Sequence, residues 1–275
     1  MFSNLIYKMV PNYKFIYAGK NIELPNIIKT RIQNYWNELI ESGKKYTNGK
    51  IYTISNISLD DNDCLIFKIE ETNFAHYLYT VKMNFQGEYI CRSIAASALF
   101  LTNDNYYVLG KMSSDTSLAG KIKLIGGAIS KEDFIRNEFH PIECIKREVK
   151  EEIGLILNNK VIVKNMQPYC FITRKNLSFI NFCFKVNLNL SSNQVVALFN
   201  EHNVSLKNQN IEQEINSIIL LKTERNYVLE FLSDNKKIII DYMKDLFFVE
   251  LGIHQALSFL DKKNISQRNN ICFYD

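Results

Sequence analysis

Apolar residues recur at three- and four-residue intervals between residues 141 and 153, which predicts a helix with one buried face. The apolar positions are Ile142, Cys144, Ile145, Val149 and Ile153. Pro141 stands at the first helical position and Gly154 follows the last one, and both residue types are typical there. The opposite face is charged. The segment therefore predicts a well-bounded helix that packs on a core by one side only.

Elsewhere the chain alternates between strand-like and helix-like patterns. Strands are predicted at 13–17, 51–54, 64–69, 94–101, 106–109, 121–125, 161–163, 169–173, 179–188 and 215–221. Helices are predicted at 24–42 and 194–201, with two or three more between about 227 and 260. Mixed strands with helices on each face predict an α/β/α sandwich. We expect residues 1–91 to form an N-terminal α/β extension and residues 92–275 to form the main domain with its C-terminal helices.

Composition narrows the class of protein. With 275 residues, 47% of them hydrophobic, the chain can bury a sizeable core. No segment approaches the roughly 20 apolar residues of a membrane span, and the first residues lack a secretory signal, so we expect a cytoplasmic protein without a membrane partner. A net charge of +4 favours a phosphorylated ligand and gives no indication of nucleic acid binding. The cysteines have no zinc or disulfide spacing, and we expect buried thiols at Cys64, Cys91, Cys144, Cys170, Cys183 and Cys272.

Three glutamates crowd the C-terminal half of the predicted helix. Glu148, Glu151 and Glu152 are neighbours on the helix surface and lie near the negative end of its dipole, so each position costs a few tenths to about 1 kcal/mol. One interpretation is a solvated face that lysines and Arg147 neutralise. The other is a site for Mg²⁺ or Mn²⁺, since both ions prefer carboxylate oxygens.

The run Arg-Glu-Val-Lys-Glu-Glu-Ile-Gly-Leu at 147–155 resembles the core of the Nudix box, G-x5-E-x7-R-E-U-x-E-E-x-G-U with U aliphatic. Gly127 follows a predicted strand, as the first glycine of the box should. It lies twenty residues before Arg147 instead of fourteen, so about six extra residues must occupy the loop at 130–139. Counting back eight residues from Arg147 gives Phe139 where the box has glutamate. A slip of one residue would let Glu138 serve instead.

The resemblance implies a Nudix fold and Mg²⁺-dependent hydrolysis of the pyrophosphate bond in a nucleoside diphosphate derivative, with Mn²⁺ as a possible substitute. It implies Glu148, Glu151 and Glu152 as metal ligands, with the backbone carbonyl of Gly127 as a further one. Arg147 would orient Glu148 by ion pairing, or would be an ordinary surface cation. A general base often comes from a late loop in this family, where Glu214 is favoured over Glu212.

Contacts to the phosphates are less defined by the sequence. Five basic residues lie near predicted strands: Arg92, Lys111, Lys121, Lys123 and Arg174. Successive side chains on a strand point to opposite faces, so we expect only some of them to reach a common cleft.

The sequence is compatible with more than one substrate and with more than one role for the protein. A helix that contains Trp36, followed by an Asn48-Gly49 turn and a strand, is similar to the N-terminal extension of Nudix diphosphatases that cleave UDP-glucose. UDP-sugars are therefore favoured, followed by ADP-ribose. The main alternative is a catalytically silent nucleotide-binding or regulatory module with the same fold. A third is an interaction protein whose first 90 residues recruit a partner.

Overall fold

One mixed sheet of thirteen strands organises the part of the chain that the structure describes. This computed structural model describes residues 4–258, apart from 10–11, 45, 63, 84–86, 88, 115, 117 and 175–177. The strands are β1 Asn4–Lys8, β2 Tyr13–Asn21, β3 Lys50–Leu59, β4 Leu65–Asn73, β5 Ser93–Leu101, β6 Tyr106–Met112, β7 Ile122–Lys123, β8 Ile125–Ala128, β9 Phe134–Ile135, β10 Glu138–Phe139, β11 Val163–Arg174, β12 Phe179–Leu188 and β13 Ile215–Lys222.

Six α-helices cover this sheet in the described ranges. They are α1 Asn26–Glu41, α2 Phe74–Lys82, α3 Pro141–Ile153, α4 Ser192–Asn208, α5 Arg225–Asp234 and α6 Met243–Glu250, and a single 3₁₀ turn spans Lys131–Asp133. The central path of the sheet runs β1-β11-β12-β5-β3-β4-β2-β10-β9. Strand β5 pairs in parallel with β12 and antiparallel with β3, β6 and β8. The chain therefore has the predicted α/β fold with a mixed sheet.

Alternation along the central strands builds a separate core on each face of the sheet. On β5, Ala96, Ala98 and Phe100 enter the first core, whereas Leu99 enters the second. The first core also takes apolar residues of α3 and α4, namely Cys144, Ile145, Val149, Val195 and Phe199. The second takes those of α5 and α6, namely Val228, Leu232, Met243, Leu246 and Phe247. Helices thus lie on both faces, as the predicted α/β/α sandwich requires.

Two predicted strand boundaries were wrong for local reasons. The predicted segment 169–173 and Val163, the last residue of the predicted segment 161–163, belong to one strand, β11, whose register shifts between Pro168 and Cys170 and whose intervening residues are mostly exposed. Residues 161 and 162 form a turn before it. The predicted strand 121–125 is divided into β7, which pairs with β6, and β8, which pairs with β5. This transfer between neighbouring strands brings Gly126 and Gly127 beside the middle of β5.

Four short elements were not predicted: β1, α2, and the hairpin of β9 and β10. Asn73 caps α2, because its side chain accepts a hydrogen bond from the backbone N–H of His76. The two hairpin strands have only two residues each, which is too short for a periodic signal.

The sheet and the first core run across residue 91. The rings of Phe15 and Phe182, one from each side of that position, lie 4.7 Å apart between centroids. The division into 1–91 and 92–275 stays a prediction. Within the described ranges, no helix has the length and apolar character needed to cross a membrane. Five of the cysteines are free and buried, as predicted, and Cys272 lies outside the described residues.

Candidate functional site

Helix α3 carries the predicted glutamates and begins and ends where the sequence predicts. It starts at Pro141 and ends before Gly154, whose φ of 73° lies in the left-handed region that glycine adopts easily. A Cβ at Gly154 would also lie only 2.7 Å from the Cβ of His202 on α4, so a side chain there would collide with His202. The His202 ring contacts the backbone carbonyl of Glu151 at 2.8 Å. Helix α4 thus holds the last turn of α3 in place.

Two glycines bring the chain close to this helix. Gly126 has a φ of 134°, and a Cβ there would lie 2.2 Å from the carbonyl oxygen of Ala96 on β5. A Cβ at Gly127 would lie 2.3 Å from Oε2 of Glu148. Gly126 is therefore required for its backbone conformation and its contact with β5, whereas a side chain at Gly127 would have to displace the Glu148 carboxylate.

Glu148 is a buried carboxylate, with a side chain 11% exposed. Its Oε1 lies 2.8 Å from Nη1 of Arg147, so the expected ion pair is present. Burial raises the pKa of Glu148 to about 7, the charge of Glu152 adds to the rise, and Arg147 opposes it. Near neutral pH this carboxylate therefore lacks enough positive charge around it to be fully ionised.

Glu152 is still more buried and has a different partner. Its Oε1 accepts a hydrogen bond from Lys123 Nζ at 2.8 Å, and its Oε2 accepts one from the backbone N–H of Gly126 at 2.8 Å. The Lys123 ammonium also donates to the carbonyl oxygen of Gly126. Burial raises the pKa of Glu152, while Lys123 and the Gly126 N–H oppose the rise, and the charge of Glu214 adds to it.

Arg147 gathers the remaining carboxylates. Its Nε and Nη2 bind the two oxygens of Asp133 at 2.9 Å each, and its Nη1 lies 2.9 Å from Glu151 Oε2 as well as close to Glu148. Nη2 also donates to the backbone carbonyl of Ala128 at 3.1 Å. A paired arrangement of this kind fixes the guanidinium plane. Arg147 is thus a positioned side chain in the site and not a freely solvated cation.

Asp133 is the residue that sequence reasoning missed. It is 1% exposed and lies six residues after Gly127, which is the spacing between the glycine and the glutamate of the box. Counting forward from Gly127 would have found it. Phe139, the position that the count back from Arg147 gives, is buried in the first core, and its neighbour Glu138 is exposed on β10 and not beside Arg147.

The extra residues follow Asp133 and form the β9 and β10 hairpin. Arg136 and Asn137 make its turn, with φ of 50° and 66°. Strand β10 lies between β9 and β2, and it pairs with β2 where Glu138 lies opposite Ile16. The insertion therefore extends the sheet and leaves the carboxylate partner of Arg147 in place.

The other predicted residues divide between this site and distant positions. Glu151 is exposed by 58% of its side chain and remains beside Arg147. Glu214 precedes β13, and its charge acts on Glu152. Of the five basic candidates, Lys123 enters the site. Lys121 instead donates to the carbonyl of Lys237, and Arg92 donates to that of Ile54.

The charges of this site fit a divalent cation. Four carboxylates, Asp133, Glu148, Glu151 and Glu152, face only the two cationic groups of Arg147 and Lys123, so full ionisation of all four would leave an excess of two negative charges. Carboxylate oxygens are the ligands that Mg²⁺ and Mn²⁺ prefer. Among the described residues, no three acidic, histidine or cysteine side chains already converge on one point as a ligand set. The glutamates instead point to Arg147 or Lys123.

No protein-family model matches this sequence, and no curated protein matches it either. Several solved structures are similar to the chain. A protein of Deinococcus radiodurans is 11% identical with a TM-score of 0.42, over 72% of this chain and 96% of that one. A bifunctional NMN adenylyltransferase/ADP ribose pyrophosphatase of Francisella tularensis, complexed with AMP and a Mn ion, is 11% identical with a TM-score of 0.37. That alignment covers 65% of this chain and 47% of the other.

A third similar structure is the NUDIX domain of NrtR from Shewanella oneidensis, complexed with ADP ribose. It is 9% identical with a TM-score of 0.37, over 64% of this chain and 96% of that domain. At these identities and TM-scores, a functional assignment depends on the side chains of this site and not on the alignments.

Proposed function

We propose that this chain is a Mg²⁺-dependent hydrolase that cleaves the pyrophosphate bond of a nucleoside diphosphate derivative. The observation that carries the proposal is that four carboxylates share only two cationic groups, Arg147 and Lys123, with Glu148 buried among them, so their full ionisation leaves an excess of two negative charges. A divalent ion would balance that excess, and a pyrophosphate substrate brings negative charge that the same ion can share. Mn²⁺ is the expected substitute.

In this proposal Glu148, Glu151 and Glu152 form the acidic set that holds the ion, and the carbonyl of Gly127 is a further candidate ligand. Asp133 holds Arg147, and Arg147 orients the Glu148 carboxylate. A bound divalent ion supplies charge neutralisation of the pyrophosphate and a lowered pKa of the attacking water. We assign to Glu214 the removal of a proton from that water, because it directly precedes β13, in the late loop that the family resemblance favours for a general base.

The favoured substrate is a UDP-sugar, and ADP-ribose is the next candidate. The preference comes from the N-terminal elements that resemble those of UDP-glucose diphosphatases. Helix α1, with Trp36, is followed by β3, whereas Asn48 and Gly49 between them do not form an assigned turn.

A second candidate function is a nucleotide-binding module that does not cleave its ligand. One specific observation favours it. The carboxylates that would hold the ion are engaged by Lys123 and Arg147 instead of pointing to one common position.

The test is hydrolysis of a panel of nucleotides by metal-depleted protein to which Mg²⁺ or Mn²⁺ is returned. We expect release of a nucleoside monophosphate from UDP-glucose or ADP-ribose. Replacing Glu148 or Glu152 by Gln should lower kcat by about 100-fold or more, because a carboxylate of the acidic set is lost. Glu143→Gln is the matched control: Glu143 lies in the first turn of α3 and pairs with Lys146, away from the site.

Each result decides between the candidates. Activity that persists in Glu148→Gln and Glu152→Gln would reject the assigned roles. Absence of turnover with every nucleotide and both metals would reject the hydrolase. Measurable nucleotide binding with intact ligand after long incubation would then establish the silent module.

A further inference from the structure

In the most buried ion pair of the site, a lysine binds Glu152, which the sequence predicts as a metal ligand. The side chain of Lys123 is 10% exposed and that of Glu152 is 2% exposed, and their charged atoms lie 2.8 Å apart. Lys123 comes from β7, and Glu152 comes from the last turn of α3, so two separate elements place the pair. Two charges withdrawn from water in this way need close mutual compensation.

The acceptors of the Lys123 ammonium are those that a divalent ion uses. It contacts a carboxylate oxygen of Glu152 and the backbone carbonyl oxygen of Gly126. Hard cations bind carboxylate and carbonyl oxygens of this kind. The second oxygen of Glu152 is occupied by the N–H of Gly126. Both oxygens of Glu152 are thus already bonded, and a divalent ion approaching Oε1 would meet the ammonium charge at close range.

We propose that Lys123 is a built-in cation of this site, which takes the position of one divalent ion between Glu152 and Gly126. Exchangeable metal then binds on the side of Glu148 and Glu151, and Glu152, the third member of the proposed acidic set, holds the ammonium of Lys123 in place of an exchangeable ion. The inference rests on the proposed metal site and defines how many ions that site takes. Loss of the lysine charge would leave Glu152 buried and uncompensated, and so create a position for one additional ion.

Binding of Mn²⁺ alone tests this inference without reference to catalysis. Full-length, metal-depleted wild type, Lys123→Met and Lys121→Met are titrated with Mn²⁺, and free Mn²⁺ is measured by electron paramagnetic resonance. Lys121 is the matched control because it lies two residues away and bonds to the Lys237 carbonyl outside the site. We expect Lys123→Met to bind one more Mn²⁺ per chain than wild type does. If the number of ions is equal, we expect the variant to bind Mn²⁺ on the order of tenfold more tightly than wild type. Lys121→Met should bind as wild type does.

A charge-retaining variant separates loss of charge from loss of shape. Lys123→Arg should bind the same number of ions as wild type, because the cation is kept. The inference is overturned if Lys123→Met matches wild type in both number and affinity, or if Lys123→Arg gains the same ion as Lys123→Met.

Thermal unfolding covers the case in which the variant is unstable. Without metal, we expect Lys123→Met to have a lower Tm than wild type. Addition of Mn²⁺ should raise the Tm of Lys123→Met by more than it raises the Tm of wild type. Unfolding that Mn²⁺ does not reverse would overturn the inference. Failure of the proposed function is distinguishable from these results. An additional ion in Lys123→Met without nucleotide cleavage in any variant rejects the hydrolase alone, whereas cleavage with an unchanged ion count rejects only the role of Lys123.

Discussion

Two buried glutamates, Glu250 on α6 and Glu148 on α3, stand in opposite charge environments. Glu250 accepts hydrogen bonds from the hydroxyls of Tyr107 at 2.9 Å and Tyr169 at 2.6 Å, and it pairs with Lys185. One carboxylate is thus matched by one ammonium and two neutral donors. Glu148, in contrast, shares the guanidinium of Arg147 with two other carboxylates.

The Glu250 cluster is a structural anchor, whereas the α3 cluster is a candidate ligand site. Burial and the Glu250 charge raise the pKa of Tyr107 and of Tyr169, so both hydroxyls stay protonated and keep donating. That cluster is complete and fastens α6 to the sheet. The α3 cluster has charge left over, and a buried charge that is not compensated is costly unless something binds to it. An incomplete cluster on a well-packed helix is therefore the better candidate for function.

The largest stability effect should come from breaking the complete cluster. Glu250→Gln leaves Lys185 without its counter-charge, so we expect unfolding free energy to fall by about 4 kcal/mol. Chemical denaturation measures the loss. The stabilisation that wild type gains from Mg²⁺ should be unchanged in this variant, and a lost Mg²⁺ response would show that the two clusters are not independent.

Removing Glu148 should change how the stability of the protein depends on pH, and should raise the stability at high pH. The pKa of Glu148 is about 7 in the folded protein and about 4.3 in an unfolded chain, so the folded state retains a proton that the unfolded state loses. Its contribution is therefore most favourable below about pH 4.3 and declines until about pH 7, by on the order of 3 kcal/mol.

Denaturation curves of metal-free wild type and Glu148→Gln across pH 4 to 8 isolate this contribution. The variant should lack the decline and be the more stable protein at pH 8. Parallel profiles of the two proteins would contradict the raised pKa. Added Mg²⁺ should flatten the wild-type profile, because a bound cation favours the ionised carboxylate.

Asp133→Asn should have a smaller effect than Glu250→Gln, although Asp133 is at least as buried. Arg147 keeps Glu148 and Glu151 as partners, so we expect a loss of about 2 kcal/mol, measured by chemical denaturation. Asp133→Glu serves as the charge-retaining comparison. A loss as large as that of Glu250→Gln would mean that Arg147 depends on Asp133 alone.

The smallest effect should come from removing one neutral donor of the complete cluster. Tyr169→Phe deletes a hydrogen bond to a charged acceptor, and we expect a loss of about 1.5 kcal/mol by thermal or chemical unfolding. Tyr17→Phe is a useful comparison, since Tyr17 also donates to a glutamate, Glu71, whose lysine partner, Lys50, is more exposed than Lys185. Its loss should be smaller, and an equal loss would argue that burial does not strengthen the Glu250 cluster.

The sequence predicted those features that short segments determine. The bounds of α3 follow from Pro141, Gly154 and helical spacing, and the largely apolar segment 179–188 predicts β12 completely. The pair of Lys123 and Glu152 could not be predicted, because its members lie 29 residues apart on different elements. The partners of Glu250 lie 65 to 143 residues away from it.

Asp133 illustrates a different limit. Its spacing from Gly127 is regular, but its spacing from Arg147 includes the inserted hairpin. A count from the helix therefore fails, whereas a count from the glycine succeeds. Only the folded structure shows which side of the insertion keeps its register, since a hairpin can be added to a loop with little change at the ends of that loop.

The inserted hairpin of β9 and β10 also connects the segment that carries Asp133 to strand β2. Asn137 accepts a hydrogen bond from the N–H of Tyr17 at 2.9 Å, and the rings of Phe139 and Phe15 lie 5.2 Å apart between centroids. A displacement of β2 would thus move β10 and, a few residues away, the carboxylate that holds Arg147. A binding partner that shifted the N-terminal strands would alter the grip of Asp133 on the guanidinium without touching a single glutamate of α3.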